Sequence, residues 1–122
     1  MIFNTNIPIY VQIIDDFKKR IISGEYGPSD KVLSVRDLAM EYGVNPNTVQ
    51  KALSELERFA LVKSVRTSGR YITEDIKIIQ ELKDQFINEK VQTFITDLKG
   101  LSITDDEIIR HIERGIHNGS DD

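Results

Sequence analysis

Cysteine is absent from the 122 residues, which excludes disulfides, thiolate metal sites and cysteine nucleophiles. No apolar run approaches the roughly 20 residues of a membrane-spanning helix. The start, Met1-Ile2-Phe3-Asn4-Thr5-Asn6, lacks the basic and apolar segments of a signal peptide. The expected setting is therefore a reducing cytoplasm, with no membrane partner. Histidine occurs twice, at His111 and His117. Six residues separate them, about 240° around a helix, so they do not share a face and no metal site is expected. There is no Gly-rich phosphate loop, no metal-ligand spacing and no nucleophile elbow. Asp15-Asp16 lies on a polar helix face, and Asp105-Asp106-Glu107 is accounted for by a helix start. No enzyme and no cofactor are expected.

What is present suits one small domain with an appendage. Hydrophobic residues make up 39% and charged residues 30% of the chain, a soluble globular composition with material for one core. The net charge of −4 conceals an asymmetry. Residues 1–73 carry ten Lys+Arg against eight Asp+Glu, and residues 74–122 carry six against twelve. From Arg58 to Thr73 there are four bases (Arg58, Lys63, Arg66 and Arg70) and no acid. A local basic stripe matters more for phosphate contact than the total does.

Apolar residues Val11, Ile14, Phe17, Ile21 and Ile22 recur at helical spacing, predicting a first helix from Pro8, in its first turn, to Ser23. Gly24 stops it, and the composition of Gly24 to Asp30 predicts a loop. Ser34 is the expected N-cap of a second helix that ends at Gly43. Asn45 caps a third, with Pro46 at its first position and Val49, Ala52, Leu53 and Leu56 on one face. Two short helices joined around Gly43 form a helix-turn-helix pattern. Leu61–Val65 and Arg70–Thr73 then read as strands around the turn Arg66-Thr67-Ser68-Gly69, the place of a wing. A long amphipathic helix is expected from Glu74 to Lys99, broken by Gly100. A capping box, Thr104 to Glu107, opens a last helix that turns Ile108, Ile109, Ile112 and Ile116 inward, with Asn118 onward frayed. The fold class is mainly α with a small β-hairpin: a winged helix-turn-helix over 1–73, and a helical tail over 74–122.

Residues Pro8 to Thr73 resemble the DNA-binding domain of the GntR regulators. The resemblance is carried by Pro8-Ile9-Tyr10-Val11-Gln12-Ile13, Ile22-Ser23-Gly24, Leu33-Ser34-Val35-Arg36-Asp37-Leu38-Ala39, Gly43 through Leu53, and Leu56-Glu57. The 49 residues that follow, read as two helices, resemble the tail of the YtrA subfamily. That resemblance implies a homodimer joined through the tail, and often control of transporter genes of the ATP-binding-cassette type. The chain departs from the family at several places. Pro28-Ser29-Asp30 replaces Pro-Gly-Asp, Leu33 replaces Pro, and Phe59-Ala60 replaces Glu-Gly. The wing keeps Gly69 but has Thr67 where a second glycine is usual.

Arg36 occupies the position that, by the resemblance, most persistently contacts DNA. Asn45, Asn47, Thr48 and Gln50 surround the start of the third helix, the end that a recognition helix presents to the major groove. Asn45 must also cap the helix. Gln50 and Asn47 are the candidates for base reading, since an amide can pair twice with adenine. Thr48 and Lys51 suit phosphates, which set register. Arg66, Ser68, Gly69 and Arg70 form the expected wing contact, with Gly69 allowing close backbone approach. Leu82, Phe86, Val91, Phe94 and Leu98 are the expected dimerisation residues. The leading expectation is a homodimeric DNA-binding repressor on a pseudo-palindromic operator of double-stranded DNA. A small-molecule effector would then sit at the dimer interface or between domain and tail. The alternative is a protein-interaction adaptor built on the same fold without DNA, against which the basic stripe from Arg58 to Thr73 argues.

Overall fold

A computed structural model describes residues 1–120. Helices α1 (Ile9–Ser23), α2 (Val35–Tyr42) and α3 (Pro46–Arg58) precede a hairpin of β1 (Val62–Val65) and β2 (Gly69–Ile72). Helices α4 (Ile76–Lys99) and α5 (Asp105–Ser120) follow. The chain forms two compact units, Met1–Lys83 and Asp84 onward.

The first unit holds the core. Ile13, Phe17 and Ile21 of α1 meet Leu38 and Tyr42 of α2, and Val49, Leu53 and Leu56 of α3, with Val62 and Ile72 closing the hairpin end. Each such fully buried side chain stabilises the fold by about 1.5–3 kcal/mol. A partly buried knot ties α1 to α2 beside it. Arg20 pairs with Asp16 at 3.0 Å and with Glu41 at 2.9 Å, and Tyr42 donates to Asp16 at 2.7 Å. Burial disfavours the Arg20 charge. The hydrogen bonds to Glu41 and Tyr26 and the nearby Asp16 outweigh that and raise its pKa.

Local chemistry explains most boundaries. Pro8 is the N-cap of α1 rather than its first residue, because its extended ψ of 139° leaves only its carbonyl inside the helix. Ser34 Oγ accepts from the Asp37 N–H at 3.1 Å and opens α2. Asn45 Oδ1 accepts from the Asn47 N–H at 2.8 Å and opens α3 behind Pro46. Asp75 opens α4, its Oδ1 accepting from the Lys77 N–H at 3.0 Å, so the helix starts two residues later than the apolar pattern suggests. The segment 29–32, expected as loop up to Asp30, lies along the free edge of β2. Ile72 N–H donates to Asp30 O at 2.8 Å, Val32 N–H to Arg70 O at 2.9 Å, and Lys31 bridges to Tyr71.

Three helices end on the same motif. The residue after the last turn takes a left-handed backbone, and the next N–H reaches back to close the helix. At α2 the left-handed residue is Gly43 (φ +69°), with Val44 N–H on Ala39 O at 3.0 Å. At α3 it is Ala60 (φ +63°), with Leu61 N–H on Leu56 O at 3.0 Å. At α4 it is Ser102 (φ +62°), with Ile103 N–H on Leu98 O at 3.2 Å. Helix α4 thus ends at Lys99, as expected from Gly100, but Gly100 is not the left-handed residue. Its N–H still bonds to Thr96 O at 3.0 Å, and the reversal falls two residues later. Ser29 (φ +66°) and Thr67 (φ +67°) are left-handed as well. The backbone thus keeps a glycine-like conformation at all three places where glycine gave way to Ser29, Ala60 and Thr67.

Within α4, Ile78, Ile79 and Leu82 pack against the first unit's core. The compact unit that holds this core runs to Lys83 and so includes the start of α4. In the second unit, Thr104 Oγ1 accepts from the Glu107 N–H at 3.2 Å. The Glu107 carboxylate accepts from the same hydroxyl at 3.1 Å instead of reaching the Thr104 backbone, so only half of the expected capping box forms. Ile108 is buried, but Ile109, Ile112 and Ile116 are 52%, 39% and 69% exposed, contrary to the expected inward placing. The described residues do not supply a surface wide enough to cover that stripe. Helix α5 continues through Asn118 to Ser120, past the expected start of fraying, and Asp121 and Asp122 lie outside the described residues.

Candidate nucleic-acid interface

Helix α3 separates its residues by face. Val49, Ala52, Leu53 and Leu56 are buried. Asn47, Gln50, Lys51 and Ser54 are exposed, and their spacing of three, four and seven places them on one outward stripe. Ser54 was not picked out from sequence. Its signal was its position four residues after Gln50, whose Nε2 lies 3.4 Å from its Oγ. Thr48 is half-buried, and Asn45 is exposed but commits its Oδ1 to the helix start. Lys51 Nζ stands 4.1 Å from the centre of the Tyr10 ring, so α1 holds the ammonium over an aromatic face. Arg36 is exposed in the first turn of α2, with no ion-pair partner among the described residues.

The hairpin pairs Val62 with Ile72, Lys63 with Tyr71, Ser64 with Arg70 and Val65 with Gly69. Arg66 is exposed at its turn, again without an ion-pair partner among the described residues. The Ser68 hydroxyl forms a short hydrogen bond with the Tyr71 hydroxyl. Gly69 (φ +127°) has a neighbour that the sequence did not disclose. A Cβ there would lie 3.3 Å from Cε of Lys31. The bare Cα leaves room for the Lys31 stem to cross the wing, which carries its ammonium to the same place. Lys31 was missed because it falls between the expected loop, which ends at Asp30, and the second helix, where no element was read.

Arg70 is not a free base. Its Nε donates to Glu57 Oε1 at 2.7 Å, and Glu57 also accepts from the Ser64 hydroxyl. Burial would raise the Glu57 pKa, but these two partners outweigh it and hold the carboxyl below its ordinary value. Arg58 likewise donates to Glu55 at 2.7 Å. Two of the four bases in the stretch from Arg58 to Thr73 are thus paired with carboxylates lying just before it. Lys63 and Arg66 have no ion-pair partner among the described residues, and neither do Arg36, Lys51 and Lys31 in other segments.

The expected dimerisation residues fall in two places. Leu82 is half-buried against the first unit's core. Phe86 and Leu98 are half-buried, and Val91 and Phe94 are 42% and 43% exposed. Ile87, at 46%, adds to this surface and was not picked out. No cluster of His, Asp and Glu able to hold a metal occurs among the described residues. No helix is long and apolar enough to cross a membrane.

Comparison with known proteins places this arrangement. The profile described as "Bacterial regulatory proteins, gntR family" matches residues 9–72. The HTH-type transcriptional regulator YhcF of Bacillus subtilis is 38% identical over 96% of this chain and 97% of its own. The HTH-type transcriptional repressor YtrA of the same organism is 42% identical over 76% of this chain and 72% of its own. The solved structure of a GntR family transcriptional regulator from Listeria monocytogenes superposes with a TM-score of 0.87 at 37% identity, covering 92% of this chain and 98% of that one. A solved complex of the AraR DNA-binding domain with operator ORR3 superposes with a TM-score of 0.54 at 25% identity, covering 60% and 88%.

Proposed function

This chain belongs to the gntR family of bacterial regulatory proteins and is a DNA-binding transcriptional regulator with a winged helix-turn-helix, and we propose that it represses transcription as a cytoplasmic homodimer on a pseudo-palindromic operator. The outward stripe of α3 carries the reading. Asn47 and Gln50 are short amides on the face turned away from the core, fit to pair with base edges in the major groove. Lys51, Thr48 and Arg36 hold phosphates. Arg66 and Lys31 bring cations to the wing, which suits a narrow minor groove. The role is binding, and no catalytic step is assigned to any residue.

The homodimer rests on the uncovered apolar surface of the second unit, where Ile87, Val91, Phe94, Ile109, Ile112 and Ile116 are each at least 39% exposed. Exposed apolar patches of this extent mark interfaces. A two-fold dimer presents two α3 helices to half-sites about 34 Å apart or a multiple of that. The repressor role follows the similarity to YtrA, which is named a repressor.

The test is selection of duplexes from a random-sequence pool with the full chain, followed by titration of a selected and a scrambled duplex at two salt concentrations. Recovery of an inverted repeat supports the reading, with the selected duplex bound at least a thousandfold more tightly. Equal, weak binding of both duplexes refutes sequence-specific regulation. No binding at low salt favours a protein-interaction adaptor.

A further inference from the structure

Apolar burial fixes only the base of the wing, and on the β2 side segment 29–32 runs along it through Val32 N–H on Arg70 O. Val62 and Ile72 are buried, whereas every residue from Lys63 to Gly69 is exposed. Hydrophobic contact therefore does not hold the outer half against α3. Glu57, in the last turn of α3, reaches that outer half. Its Oε1 accepts from the Ser64 hydroxyl on β1 and, at 2.7 Å, from Arg70 Nε on β2. Ser64 and Arg70 face each other across the ladder. One carboxylate oxygen thus grips both strands at a single rung, beyond the packed base. The side chains of Glu57 and Arg70 are only 31% and 24% exposed. That shielding sets the pair apart from surface ion pairs that contribute nothing measurable.

We propose that Glu57 is a positioning residue for DNA binding, which holds the wing at a fixed attitude to α3 through Ser64 and Arg70, so that Arg70 serves this hold and not a phosphate. The inference rests on the reading of the chain as a DNA-binding regulator. It makes a prediction opposite to simple electrostatics. An acidic residue on a DNA-binding unit repels phosphates, so removing it should tighten binding. If Glu57 positions the wing, removing it weakens binding, because the freed hairpin must be ordered when DNA binds.

The test uses the full chain with Glu57→Gln, Arg70→Gln and the double variant, against a duplex selected by the wild type, at two salt concentrations. Each single variant should bind roughly three- to tenfold more weakly with the salt slope unchanged, and the double variant no more weakly than either single one. Equal or tighter binding by Glu57→Gln overturns the proposal. So does a salt slope flattened by about one unit in Arg70→Gln, the mark of a lost phosphate contact. A second measurement needs no DNA. Backbone 15N order parameters over residues 63–70 should fall from the rigid value of about 0.85 in Glu57→Gln, while α1 to α3 stay unchanged. A wing as rigid as in the wild type also overturns the proposal. If the wild type selects no duplex, the regulator reading fails, and the order parameters still decide the clamp. Should Glu57→Gln not fold, Ser64→Ala removes one arm of the grip and gives the same readouts.

Discussion

Ala60→Gly should stabilise the DNA-binding unit. Ala60 closes α3 in the left-handed conformation at φ +63°, its N–H on Glu57 O at 2.9 Å and the next N–H on Leu56 O at 3.0 Å. That conformation costs a residue with a Cβ about 1–2 kcal/mol. Glycine escapes the cost but loses about 0.4–1 kcal/mol through the greater freedom of its unfolded chain. Ala60 is exposed, so deleting its methyl sacrifices little burial. The net gain is about 0.5–1 kcal/mol, which for a unit of this size raises Tm by roughly 3–6 °C. The chain supplies its own control. Gly43 closes α2 by the same hydrogen bonds at φ +69°, and a Cβ built there meets no atom within 4 Å. Gly43→Ala should therefore lower stability by a similar amount for purely conformational reasons. Both variants would be followed by urea and thermal unfolding of the full chain. The urea midpoint should move in opposite directions with an unchanged m-value. A fall in stability for Ala60→Gly, or no loss for Gly43→Ala, would refute the argument that backbone handedness sets the cost at these helix ends.

Gln50→Ala should cost about 1–3 kcal/mol on a selected operator and little on scrambled DNA, whereas Lys51→Ala should weaken both about equally and flatten the salt slope by roughly one unit; titration of both duplexes at two salts separates them. Sedimentation at micromolar concentration should give about 28 kDa, twice the 14.0 kDa of the chain, and Ile112→Asp should shift the protein towards monomer by burying a charge in the apolar face; a wild-type monomer would sink the dimer. The Glu57 carboxyl titrates below its unfolded value of about 4.3, so its contribution to stability is complete above that pH and lost as acid carries the solution down through the folded value. Unfolding midpoints measured from pH 6 to pH 3 should therefore fall less steeply for Glu57→Gln than for the wild type, and parallel curves would count against the grip.

Much of the candidate site was legible because it follows from local rules. The caps at Ser34 and Asn45, with Pro46 behind, start α2 and α3 as their side chains dictate, and helical spacing alone turns Val49 and Leu53 inward and Gln50 outward. What escaped was decided by neighbours distant in sequence. Arg70 reads as a free base, yet thirteen residues earlier Glu57 holds it. Gly69 reads as room for DNA, yet Lys31 fills that room. Gly100 marks the end of α4 correctly, but the left-handed turn falls on Ser102, where the chain closes on Leu98.

The sequence by itself determined the order and kind of the elements, since capping, periodicity and turn chemistry act within a few residues. It also determined the outward polar stripe of α3, because a helix whose one face is apolar has no choice about the other. Only the tertiary structure decided which charges remain free, where the unit boundary falls within α4, and which apolar residues stay uncovered. Those depend on what packs against what. A carboxylate neutralises whichever guanidinium the fold brings within hydrogen-bond reach, and an isoleucine is buried only where another surface meets it.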